Sequence, residues 1–367
     1  MTNLARAVAL AGVLSLAAFA VSGCAMVRGV PQDAVGGVRQ LRLAAEQGEA
    51  PEQYQLGLAY ATGRGVPPDD ADAVHWFRLA AEQDHVPAQY QLGLAYATGL
   101  GMSPDTSEAV RWFGLAAEQG HGPAQYELGL AYATGRGVPP GDAAAERWFR
   151  SAAEQDHGPA QYQLGLAYAT GRGVSPDDVD AVHWFQLAAE QGHGPAQYEL
   201  GLAYATGRGV PQDNGDAVRW FRPAAEQGHG PAQYQLGLTY ATRLDTAIDT
   251  AAVRWFRLAA EQGHAPSQNE LGLAYATGRG VPQDDADAVH WFRLAAEQGD
   301  ARAQNGLGIA FAEGRGVPQD YVRAHMWFNL GNMYQDRDRV AQQLTPDQLA
   351  EAQHLAREWD TAHPREP

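Results

Sequence analysis

Apolar and polar positions follow one pattern that returns at a fixed distance along most of the chain. Leu-Gly followed by an apolar stretch recurs at six intervals of 36 residues and one of 35, beginning at Leu56, Leu92, Leu128, Leu164, Leu200, Leu236, Leu271 and Leu307. Trp-Phe recurs in step, beginning at Trp76, Trp112, Trp148, Trp184, Trp220, Trp255, Trp291 and Trp327. A period of this length predicts an array of small stacked units instead of two or three globular domains.

Each repeat predicts two helices, which we name A and B in chain order. Apolar residues recur at helical spacing in both, at Ala88, Leu92, Ala95 and Tyr96 in one A helix and at Ala109, Trp112, Phe113 and Ala116 in the next B helix. Pro123 stands where an A helix would begin, and Gly135 stands where it would end. Asp69 or Asp70 is placed to cap a B helix, and Gly120 to close one.

The glycine after each leucine is unusual, because a glycine inside a helix costs about 1 kcal/mol of helix propensity. Its presence in every copy, as at Gly93, predicts that a neighbouring helix crosses there at close range and that a Trp or Phe ring packs against it. A single helical hairpin could not bury both aromatic rings of a copy. Stacking of several hairpins is therefore expected.

The repeated unit Ala-x-x-x-Leu-Gly-x-x-Tyr-x-x-Gly-x-Gly-Val-x-x-Asp, followed by Ala-x-x-Trp-x-x-x-Ala-Ala-x-x-Gly, resembles the Sel-one-like repeat, a relative of the tetratricopeptide repeat. The resemblance covers about residues 28–334. It implies an all-α fold, a right-handed superhelical solenoid of antiparallel two-helix repeats. It also implies an adaptor that scaffolds complexes, a role common among exported and host-interacting bacterial members.

Both ends of the array depart from the repeat. Residues 24–50 hold a short linker and a half repeat in which Gln40 occupies the Trp position, as suits an N-terminal cap. Eight repeats fill residues 51–334, and a capping helix is expected over 335–362, with Thr345 as N-cap and Gln348 completing a capping box. We expect it to cover the last repeat with Leu349, Ala352, Leu355, Ala356 and Trp359. Residues 363–367 are expected to be disordered.

One stretch near the middle breaks the pattern. Pro223 replaces the leucine of a B helix, and residues 243–250 replace the usual glycine-rich loop with one residue fewer. An interior proline costs about 3 kcal/mol or kinks a helix. The sequence leaves two interpretations open, a joint over residues 220–252 or neutral drift in a tolerant region.

The N-terminal residues predict export. Residues 1–23 carry a single charge, at Arg6, followed by an apolar run too short for a comfortable membrane span but suited to a signal peptide. Val21-Ser22-Gly23-Cys24 resembles the bacterial lipobox, which implies lipidation of Cys24, the only cysteine of the chain. Because Ala25 follows instead of Asp, the resemblance implies a protein anchored by lipid in the outer membrane and facing the periplasm.

The charge of the chain restricts its partners. The formal net charge is −17, and all 26 basic residues are arginine. An acidic surface repels phosphate backbones and anionic lipid, so we expect no nucleic acid partner and no membrane contact beyond the N-terminal lipid. Basic or neutral ligands remain suitable.

Catalytic signatures are missing from the sequence. Gly63-Arg64-Gly65 and its copies follow a helix and lack the lysine of a phosphate-binding loop, so they predict a turn. Glu118-Gln-Gly-His121 has the spacing of a di-iron ligand pair, but Gly120 should end the helix between the two side chains. His75, His183 and His290 stand where other copies have arginine, which indicates exposure. We therefore expect no enzyme activity, no cofactor and no metal.

Solenoids of this type usually bind on the side that the A helices line. We therefore take as the candidate binding surface the polar A-helix positions expected to be exposed: Gln89, Gln91, Gln125, Glu127, Gln161, Gln163, Gln197, Glu199, Gln233 and Gln235. The adjoining tyrosines favour packing between repeats over binding.

Such a repeated surface suits a protein or peptide partner, with peptidoglycan or another glycan as the alternative. A hydrolase that recognises β-lactams is a more distant alternative, because family members linked with that activity are rich in cysteine.

Overall fold

The computed structural model describes residues 34–241 and 246–363, and these form an all-α repeat solenoid. In these two stretches there are nineteen helices and no strand: α1 (Ala34–Glu46), α2 (Ala50–Thr62), α3 (Asp70–Ala81), α4 (Val86–Thr98), α5 (Thr106–Glu118), α6 (Gly122–Thr134), α7 (Asp142–Ala153), α8 (Gly158–Thr170), α9 (Asp178–Glu190), α10 (Gly194–Thr206), α11 (Asn214–Glu226), α12 (Gly230–Ala241), α13 (Thr246–Glu261), α14 (Ala265–Thr277), α15 (Asp285–Glu297), α16 (Ala301–Glu313), α17 (Tyr321–Leu330), α18 (Tyr334–Ala341) and α19 (Pro346–Ala362). The expected signal peptide, Cys24 and the tail after His363 lie outside the described residues.

The chain divides into two compact units, Met1–Ala188 and Ala189–Pro367. Within each unit the architecture is the same. The A helix of a repeat packs on its own B helix, and that B helix packs on the A helix of the next repeat. Helices α2–α7 in one unit and α11–α17 in the other therefore each have a partner on both sides, which is how such short helices become stable.

The helix ends follow the sequence signals. The carboxylate of Asp69 accepts hydrogen bonds from the backbone N–H groups of Ala71 and Asp72, at 2.9 and 3.0 Å, and so caps α3. Proline stands in the first turn of most A helices, as in α6. Gly135 ends α6 in the left-handed conformation, with φ of 71°. The predicted caps are confirmed.

The helix-interior glycines mark close crossings, as predicted. A Cβ on Gly93 would lie 2.6 Å from the Cδ1 atom of Phe113, so the phenyl ring packs directly on the α4 backbone. The same contact recurs between Gly129 and Phe149. Leu92, next to Gly93, is fully buried. The ring that the glycine receives is thus the phenylalanine of the Trp-Phe pair.

The C-terminal cap contains two helices, where the sequence predicted one over 335–362. α18 and α19 are separated by a turn that ends at Thr345, whose side chain forms the expected capping box with Gln348. Ala352 and Ala356 of α19 are buried, and the Trp359 ring lies 5.9 Å from that of Trp327. The prediction that this last helix covers the final repeat is confirmed.

Pro223 does not interrupt its helix. α11 runs from Asn214 to Glu226, and the residues that follow the proline, Ala224 and Ala225, are buried as in other repeats. The carbonyl of Pro223 accepts a hydrogen bond from Gln227 at 3.1 Å. The joint over residues 220–252 includes residues outside the described ones and stays a prediction.

Among the described helices, none combines the length and apolar character that a membrane crossing requires.

Candidate binding face of the A helices

Three positions of each A helix form a surface that is half-buried in most repeats, which we call the A-helix face. In α6 these are Tyr126, Glu127 and Leu130. The same positions are half-buried in α8, α10 and α12, whereas Leu273 of α14 and Ile309 of α16 are exposed. From α2 to α12 the face therefore repeats a tyrosine, a polar side chain and a leucine, whereas asparagine replaces the tyrosine in α14 and α16.

The tyrosines of this face pack between repeats. The ring of Tyr90 lies 6.0 Å from that of Phe113 in the same repeat and 4.9 Å from that of His121 at the start of the next. Tyr126 makes the same two contacts, with Phe149 and His157. The packing role favoured by the sequence is confirmed, and burial raises the pKa of both phenols, that of Tyr126 to about 12.

Histidines cap most A helices, a role that sequence reasoning missed. Nδ1 of His121 accepts a hydrogen bond from the backbone N–H of Ala124 at 3.2 Å, and equivalent bonds recur at His85, His157 and His229. Asp300 takes over this role in the last repeat. The available signal was the position of each histidine directly before the first turn of an A helix. No cluster of three potential metal ligands occurs among the described residues.

Acid should weaken these caps. Burial lowers the pKa of the capping histidines below the usual value of about 6.5, at His85, His121, His193, His229 and His264. Between the folded and unfolded pKa values the unfolded chain binds more protons, so the free energy of unfolding falls as pH falls below about 6.5. We expect a lower urea midpoint at pH 5.5 than at pH 7.5. A His121→Asn variant keeps a cap that cannot titrate, so its midpoint should fall less, and an equal fall would contradict the assignment.

The structure corrects the exposure expected for the candidate binding residues: six of the ten are buried, and the other four are half-buried. The glutamine at the position of Gln89 is buried in every described repeat. The exposed fraction of the residue is 0% for Gln89 and 6% for Gln125. Gln161, Gln197 and Gln233 are buried likewise. At the second position Gln91 is buried, whereas Glu127, Gln163, Glu199 and Gln235 are half-buried. The second set thus belongs to the A-helix face, and the first set does not.

The buried glutamines join neighbouring repeats by hydrogen bonds. Gln125 Nε2 donates to the carbonyl of Ala117 at the end of α5, at 3.1 Å, and Gln125 Oε1 accepts from Nε2 of Gln155 in the turn after α7, at 2.8 Å. Gln89, with Ala81 and Gln119, repeats the arrangement. Each such side chain therefore satisfies a carbonyl at one helix end and holds the next B helix in place.

Replacing Gln125 with leucine should lower the free energy of unfolding by about 1–3 kcal/mol, because each of two lost hydrogen bonds contributes about 0.5–1.5 kcal/mol. The variant keeps the buried volume but removes the hydrogen bonds that join Gln125 to Ala117 and Gln155. Urea unfolding followed by circular dichroism measures the effect. Gln163→Leu, which alters a half-buried position of the A-helix face, should cost much less. Equal losses in the two variants would contradict the structural role.

The glycine pairs after the A helices form turns, as predicted. Gly135 and Gly137 both have positive φ, of 71° and 75°. A Cβ on Gly137 would lie 2.2 Å from the carbonyl oxygen of Thr106, so this turn contacts the start of α5 in the preceding repeat. His75, His183 and His290 are exposed on their B helices, as the exchange with arginine indicated.

Half-buried carboxylates give the A-helix face its charge. Burial raises the pKa of Glu127, Glu199 and Glu270, because removal from water penalises the charged form, while a nearby arginine acts in the opposite direction in each case. Glu270 forms an ion pair with Arg302 at 3.3 Å. These groups can accept hydrogen bonds from a cationic partner group.

Comparison with known proteins identifies the repeat. The profile described as "Sel1 repeat" matches eight consecutive segments: residues 53–85, 86–121, 122–157, 158–193, 194–229, 230–264, 265–300 and 301–335. No curated protein sequence matches the chain.

Two solved structures share this fold at 32% sequence identity. One is c5321, a protective antigen of uropathogenic Escherichia coli strains, with a TM-score of 0.61 over 99% of this chain and 85% of that one. The other is a Sel1 repeat protein from Oxalobacter formigenes, with a TM-score of 0.60 over 87% of this chain and 96% of that one.

Proposed function

The chain belongs to the Sel1 repeat family, and we propose that it is a non-catalytic scaffold of the cell envelope that binds protein or peptide partners through the A-helix face. Sel1 repeat proteins are generally scaffolds for protein interactions. The proposal adds which surface of this chain binds the partner and where in the cell the protein is located. It is supported by the residues described above and by the sequence of the N-terminal segment.

The observation that carries the proposal is the composition of the A-helix face. Most copies present a tyrosine edge, a polar side chain and a leucine, as in Tyr126, Glu127 and Leu130 on α6, a helix that packs against both of its neighbours. Aromatic and aliphatic groups at half-exposed positions supply contact area at low entropic cost, and polar groups between them give direction. A face that repeats along an array suits an extended polypeptide.

The charge of the chain favours basic or neutral partners. A net charge of −17 attracts positively charged partners over long range and opposes binding to nucleic acid. Near-identical repeats also present similar residues many times, which suits a binding surface better than a single active site. Both features support a binding role for the chain.

We place this scaffold in the envelope, lipid-anchored at Cys24 and held in the outer membrane facing the periplasm. The support is the apolar run after Arg6 and the lipobox-like sequence that ends at Cys24. Two or more acyl chains anchor a protein stably, whereas one is marginal. Cys24→Ala should move the protein from the membrane fraction to the soluble fraction of cells that produce it. Membrane retention of this variant would contradict the anchor.

Partner recovery from intact cells tests the binding proposal. Leu273 on the A-helix face is 43% exposed, and Leu258 on the B helix α13 is 37% exposed, so the pair allows a matched comparison. After crosslinking, Leu273→Asp should reduce the recovery of protein partners, whereas Leu258→Asp should recover them as the unaltered protein does. Equal recovery from both variants would contradict the assigned face. Sedimentation with the peptidoglycan sacculus, without protein partners, would favour glycan binding instead.

A further inference from the structure

One arginine of the chain lies on the A-helix face of its own unit. Arg302, in the first turn of α16, places Nη1 3.3 Å from Oε1 of Glu270 on α14. Its Nη2 lies 3.3 Å from Oδ2 of Asp300, and its guanidinium also interacts with the side chain of Tyr234 on α12. The tyrosine and the glutamate come from consecutive A helices. A guanidinium therefore fits between these two side chains.

The same tyrosine and glutamate recur in the other unit without the arginine. Tyr90 on α4 and Glu127 on α6 occupy the positions that Tyr234 and Glu270 occupy, and the charge of Glu127 acts on the phenols of both Tyr90 and Tyr126. The position of Arg302 is taken there by Pro159, in the first turn of α8.

Glu127 makes no ion pair or hydrogen bond within the part of the chain that the structure describes. The charge of Arg136 acts on Glu127, but the two side chains form no ion pair. Glu127 is nevertheless half-buried, and a carboxylate removed from water without a partner is costly. A guanidinium brought by another molecule would provide the partner that Arg302 provides for Glu270.

We propose that Tyr90, Tyr126 and Glu127 form a binding site for an arginine side chain of a polypeptide partner. This inference rests on the proposed function, to which it adds the chemistry of the partner. The carboxylate accepts hydrogen bonds from the planar guanidinium, and the tyrosine rings and hydroxyls line the space beside it. Arg302 has two carboxylate partners, Glu270 and Asp300. The proposed site has one, Glu127, because His157 occupies the position equivalent to Asp300.

Arginine suits this site better than lysine does. A guanidinium is planar, is more weakly hydrated than an ammonium and stacks on aromatic rings, so it loses less on entering a half-buried site beside two tyrosines. A basic partner is further attracted by the net charge of −17.

Peptide titration of the full chain tests the site. The probes are acetyl-Gly-Gly-Arg-Gly-Gly amide and its lysine and citrulline counterparts, and ligand-observed NMR gives the Kd. We expect the arginine peptide to bind at least tenfold more tightly than the citrulline peptide and more tightly than the lysine peptide. Glu127→Gln should weaken arginine binding about tenfold, the effect expected from loss of a charge-assisted hydrogen bond. Glutamine stands at this position in α4 and α8, so the variant should fold.

Three further variants test whether binding depends on this site and not on the overall charge of the chain. Glu118→Gln removes the same charge from an exposed position on α5 and should leave the Kd unchanged. Pro159→Arg should supply the arginine from within the chain and weaken binding of the peptide at least fivefold, whereas Pro159→Ala should not.

Three results would overturn the inference: no binding of the arginine peptide, equal weakening by Glu127→Gln and Glu118→Gln, or equal affinity for the lysine peptide. None of these would contradict partner recovery through Leu273, which tests the proposed function separately.

Discussion

Replacing Gly137 with alanine is expected to lower the free energy of unfolding by about 3 kcal/mol or more, the largest effect that we anticipate for a single methyl group in this chain. The residue has φ of 75°, which costs an L-residue about 1–2 kcal/mol. The added Cβ would also lie 2.2 Å from the carbonyl oxygen of Thr106 on α5. Because that oxygen belongs to helix backbone, relief of the contact requires the turn to move away from the preceding repeat.

Gly120→Ala is the matched control. Gly120 has φ of 85°, and nothing lies within 4 Å of the Cβ that alanine would add. It therefore reports the conformational cost alone, about 1–2 kcal/mol. Urea unfolding monitored at 222 nm would compare the two variants, and losses of equal size would show that the contact with α5 contributes nothing. The expected difference measures how strongly the glycine-rich turn fixes the spacing of neighbouring repeats.

The regular features of the fold could be predicted because each depends on residues within one repeat. Helical spacing of apolar residues, an aspartate before most B helices and a glycine after most A helices act over one or two turns. Gly93 also allowed a prediction about packing between helices. A glycine in every A helix lowers helix stability, and only a tertiary contact explains why it is present. The partner ring could not be chosen between Trp and Phe, because both fit the sequence.

The burial of the glutamines could not be predicted from the sequence, because it arises only when three helices pack together. Gln125 is polar and follows the buried Ala124 in the sequence, and this pattern alone indicates a side chain at the edge of the buried stripe. Only when α5, α6 and α7 are stacked does the amide face a helix-end carbonyl on one side and Gln155 on the other. The sequence signal was the repetition of glutamine at this position, where Glu and Gln alternate two residues later.

The site around Glu127 could not be predicted from the sequence for the same reason. The sequence identifies Glu127 as a polar position on an A helix, but its relation to Tyr90 spans a whole repeat and appears only when consecutive A helices lie side by side. Arg302 illustrates the point, since it stands 32 residues after Glu270 and contacts it at 3.3 Å. Departures from the repeat therefore have to be interpreted on the stacked structure, where each changed residue has defined neighbours.

Gly129→Ala is expected to lower the free energy of unfolding by about 1–3 kcal/mol, even though alanine is the better helix former. Its Cβ would lie 2.6 Å from Cδ1 and Cε1 of Phe149, a ring that is itself buried, so α6 and α7 must separate. Gly114→Ala is the control, because Gly114 lies in α5 with nothing within 4 Å of the added atom. That variant should raise the free energy of unfolding by up to about 1 kcal/mol.

A second substitution tests whether contact with the Phe149 ring causes the loss of stability in Gly129→Ala. Phe149→Leu removes part of the ring that meets the new methyl group, so the double variant Gly129→Ala, Phe149→Leu should lose less stability than the sum of the two single losses. Additive losses would place the strain elsewhere. Because each repeat is stabilised mainly by its neighbours, the damage should also be local, with faster amide hydrogen exchange in α6 and α7 than in α2 and α3. Uniformly faster exchange would instead indicate that the unit unfolds as a whole.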